Sequence, residues 1–208
     1  KSTLADRLLE CTNTIPSHAS NKQVLDKLKV ERDRGITVKS QAVSMLYKTP
    51  ERATPLLLNL IDTPGHVDFA YEVRRSLSVC QSALLVVDAT QGIQAQTISV
   101  YRIAEQCGLT VIPVLNKVDL PASNPEQCAE QLRDILGMDT TVHTPLHVSA
   151  KTGQGVDRVL EALVERTPPL PGMQRQDREP PGLRALVFDS WYDKCVSFLQ
   201  KSNTGTAA

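Results

Sequence analysis

No sign of charge dominates this sequence of 208 residues: 23 basic side chains stand against 23 acidic ones. A balanced net charge excludes bulk electrostatic coating of nucleic acid and leaves only a local basic patch open. No C-x-x-C pair occurs among the five cysteines, Cys11, Cys80, Cys107, Cys128 and Cys195. An odd number without that spacing points to reduced thiols inside a cell, away from a disulfide framework or a zinc site. No apolar run approaches the roughly 20 residues of a membrane-spanning helix; stretches such as "ALLVV" and "PLLL" fall far short. No internal repeat is found. No methionine, signal or transit peptide precedes Lys1, so the chain is expected to be a fragment whose targeting segment cannot be read. What is present is an ordinary globular composition, 41% apolar and 22% charged. It suffices for one good-sized domain, or one domain and a piece of another.

Short β-rich apolar runs alternate with helical patterns. Val43–Tyr47, Leu56–Asp62, Ala83–Asp88, Thr110–Asn116 and Leu146–Ser149 read as strands. Between them, Ala70, Val73, Leu77 and Cys80 share one helical face, as do Val100, Ala104 and Cys107. Ser123 reads as an N-cap with Glu126 closing a capping box, and Cys128, Leu132, Ile135 and Leu136 then face inward. Val156, Val159, Leu160, Leu163 and Val164 make the last stripe. Alternating strands and helices imply a mainly parallel sheet covered on both faces. The texture changes at "PPLPGMQRQDREPPG", which holds five prolines and reads as a linker. "LRALVFDSW" follows as one strand of something new, and "QKSNTGTAA" is expected to be frayed.

Several strands end in chemistry. "VLNKVD" stops in Asn116, Lys117 and Asp119. A carboxylate such as Asp119 can accept the N1–H and the exocyclic amine that guanine offers side by side, a pair adenine cannot reproduce. Charged hydrogen bonds of this kind contribute roughly 1.5–3 kcal/mol each. Alone, the motif fits a strand end and polar turn equally well. "SAK", Ser149 to Lys151, follows another apolar strand, and its backbone could contact the guanine oxygen; alone, the tripeptide carries nothing. In "DTPGH", Asp62 can hold a Mg²⁺-bound water, and Gly65 offers an N–H with no side chain in a γ-phosphate's way. His66 then stands beside the place of an attacking water. The competing reading is a turn with an incidental histidine. In "ERDRGIT", otherwise a solvated charged loop, Thr37 could bring its hydroxyl to Mg²⁺ and its N–H to the γ-phosphate. Lys1-Ser2-Thr3 has the form of the tail of a G-x-x-x-x-G-K-[ST] loop, with the lysine reaching the β- and γ-phosphates and Ser2 the Mg²⁺. The glycine-rich part is not in this sequence. Each piece is weak; their order and spacing together are those of a P-loop GTPase.

"ERDRGIT" with "DTPGHVDF" resembles the translational GTPases, which work on the ribosome. "NKQVLDKLKVERDRGITVKSQ", "DFAYEVRRSLSVC", "QGIQAQT", "NKVDLPASNPE", "SAKTGQGV" and "LRALVFDSWYD" together resemble elongation factor 4 from Lys1 to about Lys194, and "NKQVLDKL" leans toward its mitochondrial branch. The resemblance implies an α/β P-loop GTPase domain of three layers over residues 1–167, with its first strand missing. A linker over 168–182, the first strand of a truncated β-barrel domain over 183–194 and a divergent, disordered tail over 195–208 would follow. It implies a ribosome-dependent GTP hydrolase with Mg²⁺, active in back-translocation or the rescue of stalled ribosomes. The implied partners are GTP, GDP and the ribosome with its rRNA and tRNA, with peripheral membrane association and no transmembrane segment. The implied place is the mitochondrial matrix, on the matrix face of the inner membrane. Catalysis would rest on His66, Gly65 and Lys1. GTP would be held by Lys1, Ser2, Thr3, Thr37, Asp62, Gly65, His66, Asn116, Lys117, Asp119, Ser149, Ala150 and Lys151, and the metal by Ser2, Thr37 and Asp62. Two features depart from the family. Its G-H-x-D-H-G run before the lysine is missing, and after Asp193 "KCVSFLQKSNTGTAA" replaces the strand that leads into the barrel. The alternatives are an incompetent fragment that at most binds a partner, and another branch of translational GTPases. A missing central strand is also expected to leave free edges beside the strands ending at Asp62 and Asp88.

Overall fold

The computed structural model describes residues 1–17, 23–26, 28–49, 52–140 and 143–169, and the backbone of strands 186–192 and 197–202. Helix α1 (Ser2–Cys11) leads through α2 (Lys29–Arg34) to the antiparallel pair β1 (Gln41–Tyr47) and β2 (Leu56–Asp62), with Gln41 opposite Asp62 and Tyr47 opposite Leu56. Then α3 (Ala70–Leu77), β3 (Ser82–Asp88), α4 (Ala95–Gln106), β4 (Thr110–Asn116), α5 (Pro125–Leu136), β5 (Leu146–His147) and α6 (Val156–Arg166) alternate. Strands β3, β4 and β5 form a parallel sheet with β4 central.

The parallel strands carry apolar residues on both faces because helices cover both. Successive side chains point to opposite sides. Leu84, Val86 and Val114 therefore join α1 and α6, while Leu85, Val87 and Leu115 join α3, α4 and α5. Leu8, Leu9 and Leu160 are almost wholly buried in the first layer; burying each such side chain stabilises the fold by about 1.5–3 kcal/mol. Met45 of β1 and Leu58 and Leu60 of β2 reach that same layer. Yet among the described residues no ladder joins β2 to β3. Among the described residues the edges of β2 and β3 that face each other therefore have no strand partner, as expected beside the strands ending in Asp62 and Asp88.

Three local expectations are corrected. Helix α5 is capped by Asn124, not Ser123: the Asn124 side chain accepts the Gln127 N–H at 3.0 Å, and Pro125 takes the first turn, where no N–H is needed. Ser123 instead donates to the Val118 carbonyl. Ile135 faces outward at 48% exposure, because Leu132 and Leu136 complete the buried stripe without it. Within the tail expected to be disordered, Ser197–Ser202 forms β7, antiparallel to β6 (Leu186–Tyr192); the run "SFLQ" supplies strand-forming residues that the polar end of the chain lacks. Most of the linker over 168–182 lies outside the described residues.

Candidate functional site

Parallel register brings Asp88 opposite Asn116, so β3 and β4 end level, and the loop after β5 lies beside them. The C-terminal edge of a parallel sheet is where open α/β folds bind ligands. Two groups of side chains gather at the strand ends on either side of the β2/β3 gap.

The first group surrounds the end of β2. Asp62 is 5% exposed, and its Oδ1 lies 3.1 Å from the Lys1 ammonium at the start of α1. Its other oxygen, Oδ2, is buried with no hydrogen-bond partner. Burial raises the Asp62 carboxyl above its ordinary value; Lys1 opposes the rise and nearby Asp26 adds to it. Asp26 is fully buried, accepts the Thr37 hydroxyl at 3.0 Å on Oδ1, and also leaves Oδ2 without a partner. Two buried carboxylates with free oxygens beside a threonine hydroxyl suit a hard divalent cation. Among the described residues no three His, Cys, Asp or Glu side chains converge, so any cation here would draw its other ligands from hydroxyls, water or a bound anion. Ser2 is half-buried and Thr3 exposed, in the first turn of α1.

His66 stands apart from this group. It caps the short 3-10 turn Val67–Phe69, its Nδ1 accepting the Asp68 N–H at 3.2 Å, and its ring lies edge-on to Phe69. The same Nδ1 lies 3.2 Å from an oxygen of the Asp68 carboxylate. Gly65 before it is exposed, and a Cβ there would meet nothing within 4 Å.

The second group gathers at the ends of β3 and β4 and the loop after β5. The Asn116 side chain accepts the buried Ala150 N–H at 3.0 Å, and the Asn116 carbonyl accepts the Ala89 N–H at 2.9 Å. Asn116 thereby ties β4 to the "SAK" loop on one side and to the end of β3 on the other. Ser149 is fully buried and its Oγ accepts the Thr152 N–H, whereas Lys151 is exposed. Gly155 lets this loop close: at φ +74°, a Cβ there would lie 2.3 Å from the His147 carbonyl oxygen. Lys117 adopts φ +67° and pairs with Asp88 at 2.5 Å. Burial pushes Asp88 up, but hydrogen bonds from Lys117 and Thr90 outweigh it and hold the carboxyl below its ordinary value. Asp119 is exposed in the turn that follows.

Sequence reasoning missed the acids that shape the threonine loop. Asp6 of α1 accepts the N–H groups of Gln23 and Val24 at 2.6 and 2.9 Å. Glu31, in the run read as solvated, is fully buried. Asp26 belongs to the same class, and Asp88, the partner of Lys117 in the other group, was missed as well. A half-visible signal existed for Glu31: it sits at the third position of α2, where a carboxylate can reach back to the N-cap N–H. The loop is also tied to α3, where the buried Ser76 hydroxyl donates to that of Ser40 at 2.8 Å.

Comparison with known proteins accords with this geometry. Residues 1–169 match the family described as the elongation factor Tu GTP binding domain. The chain is 57% identical over 196 residues to the translation factor GUF1, mitochondrial, of Laccaria bicolor, covering 93% of this chain and 30% of that one. It is 52% identical over 193 residues to elongation factor 4 of Clostridium acetobutylicum, covering 93% of this chain and 31% of the relative. The chain thus spans about a third of the length of these relatives. Among solved structures, a bacterial selenocysteine-specific elongation factor EF-Sec is similar with a TM-score of 0.64 at 25% identity, over 96% of this chain and 32% of that one. With a match spanning α1 to the end of α6, with the "NKVD" and "SAK" turns at one end of the parallel sheet and "DTPGH" at the end of β2, the chain belongs to the elongation factor Tu GTP binding domain family.

Proposed function

We propose that the protein carrying this chain binds GTP and hydrolyses it to GDP and phosphate on the ribosome, as a translation factor of the elongation factor 4 type. The observation that carries this reading is the presence of two half-sites at strand ends: the Asn116–Ala150 tie with Lys117 and Asp119 at the end of β4, and the Lys1–Asp62–Thr37 group at the end of β2.

Guanine is held at the first half-site. Asp119 accepts its two adjacent N–H groups, the Lys117 stem lies along the ring, and the Ser149–Ala150–Lys151 backbone faces the ring oxygen. The phosphates lie at the second. Lys1, now paired with Asp62, exchanges this carboxylate for phosphate oxygens, and the Gly65 N–H meets the terminal phosphate. The orphaned Asp62 oxygen, the Thr37 hydroxyl and Ser2 fit Mg²⁺, which when bound supplies positive charge to the triphosphate. His66 swings off its Asp68 cap and orients the attacking water through a ring nitrogen. That swing breaks only exposed contacts to the Asp68 N–H and carboxylate, a small barrier that a partner surface can overcome. Residues 1–167 form the GTP-binding domain in this reading, and 183–194 begin a second, barrel-like one. The relatives named mitochondrial support a mitochondrial place of action; we extend this to the matrix face of the inner membrane, with peripheral attachment. Among the described residues no helix is long and apolar enough to cross a membrane. Back-translocation or rescue of stalled ribosomes is the step we assign.

The test is His66→Ala in the full-length protein. Single-turnover assays should show GTP binding retained and ribosome-stimulated hydrolysis lost by at least a hundredfold, the usual contribution of a positioned proton-handling group being about 10²–10⁴. Hydrolysis within twofold of the parent removes His66 from the mechanism.

A further inference from the structure

Glu31 is a fully buried carboxylate in the loop that presents Thr37. A buried carboxylate persists only where hydrogen bonds replace its water. Here Oε2 accepts the Leu28 N–H at 2.9 Å, and Oε1 accepts the N–H groups of Val38 and Lys39 at 2.9 and 3.1 Å. The Glu31 main-chain carbonyl accepts the Ile36 N–H at 3.2 Å and that of Gly35, which closes α2 in the left-handed conformation at φ +63°. One residue therefore gathers main-chain N–H groups from both flanks of Thr37: Gly35 and Ile36 before it, Val38 and Lys39 after it. Thr37 is left as the single residue between them, its hydroxyl directed at Asp26.

We propose that Glu31 is a positioning residue for the phosphate and metal half-site: it clasps residues 28–39 into a ring that holds the Thr37 hydroxyl beside Asp26. This rests on the reading of Thr37 as a metal ligand. The side-chain carboxylate and the main-chain carbonyl of this one residue accept main-chain N–H groups from the segment that carries Thr37. Because its acceptors are the two oxygens of one carboxylate, the N-cap of α2 and the segment after Thr37 are held or released together. Shortening the side chain frees both; changing one oxygen to an amide frees only one.

The experiment uses the full-length protein and three variants, Glu31→Ala, Glu31→Gln and Thr37→Ala. Hydrogen exchange reads the Leu28, Val38 and Lys39 amides. A magnesium titration reads retention of a non-hydrolysable GTP analogue, with GDP affinity as the control for the guanine side. In Glu31→Ala all three amides should exchange at least tenfold faster, and the magnesium midpoint should rise at least tenfold, with GDP affinity within threefold. In Glu31→Gln the remaining carbonyl oxygen still accepts from Val38 and Lys39 but the amide nitrogen cannot accept from Leu28. Leu28 alone should then lose protection, and the magnesium midpoint should stay within threefold. This pattern decides the matter even if Glu31→Ala fails to fold; uniform loss of protection in Glu31→Gln overturns the clasp. An unchanged midpoint in Glu31→Ala beside a shifted one in Thr37→Ala overturns the part assigned to Glu31 alone. An unchanged midpoint in Thr37→Ala overturns the metal reading itself, and the proposal with it.

Discussion

Replacing Asn116 by alanine should damage the half-site proposed for guanine without touching the base directly. The Asn116 side chain is the acceptor for the Ala150 N–H, and the two residues are only 7% and 3% exposed. Alanine removes the acceptor and leaves a buried donor that neither water nor a neighbour can reach. An orphaned buried N–H of this kind costs about 1–3 kcal/mol. If the loop escapes that cost by opening, nucleotide binding must close it again, and affinity for GDP falls by about 5- to 150-fold, since every 1.4 kcal/mol is tenfold. Hydrogen exchange at Ala150 and a fluorescent GDP titration of the full-length protein measure both halves of this argument. Asn116→Asp is the informative companion. It keeps an acceptor oxygen, so Ala150 should remain protected, but it places a charge beside Asp88, its register partner on β3, so GDP binding should still weaken. The reasoning is refuted if Ala150 exchanges in Asn116→Ala as slowly as in the parent.

Two further outcomes follow from the other half-site and the gap. Burial lifts the Asp62 carboxyl above its ordinary value of 3.8, so the folded state carries the ionised form at a cost above that value, and the cost disappears as pH falls through the raised value. Asp62→Asn should therefore resist urea better than the parent near neutral pH without nucleotide, by a margin that shrinks toward pH 4, while losing magnesium-dependent binding of the GTP analogue; a margin that widens on acidification refutes this. The purified chain of 208 residues should bind GTP weakly or not at all and be aggregated or partly unfolded. Each orphaned backbone group along the open edges of β2 and β3 costs about 1–3 kcal/mol where water is excluded, against a total stability of about 5–15 kcal/mol. Tight magnesium-dependent binding with a cooperative thermal transition would falsify that expectation.

The parts legible from sequence are those where an apolar run stops abruptly in polar chemistry. Strands β2, β3 and β4 were each readable to within a residue, because "LIDTPGH", "VVDATQG" and "VLNKVD" break a buried pattern with groups that must face the sheet edge. Asn116, Lys117, Asp62 and Lys1 were placed correctly at the strand and helix ends for the same reason. The buried acids were not legible. Asp6, Asp26 and Glu31 are charged residues in polar surroundings along the chain, and only the tertiary path of the segment around Thr37 reveals that main-chain N–H groups replace the solvent of Asp6 and Glu31 and the Thr37 hydroxyl part of that of Asp26. Nor could Asp88 be picked out as the partner of Lys117, since the two lie 29 positions apart and meet only through the parallel register. The misplaced N-cap of α5 has a smaller cause: Ser123 and Asn124 both suit the position, and Pro125 decides between them.

The bond between Ser76 and Ser40 joins the helix after "DTPGH" to the loop after Thr37 through two uncharged hydroxyls, both buried. Neither group titrates near neutral pH, and a contact without net charge is not screened by ions. Helix α3 and the loop that carries Thr37 are thus coupled by a linkage indifferent to the salt and acidity of the surrounding compartment. Whatever turns α3 also pulls on the stretch leading back to Thr37, with the same force in dilute buffer as in a crowded, ion-rich lumen.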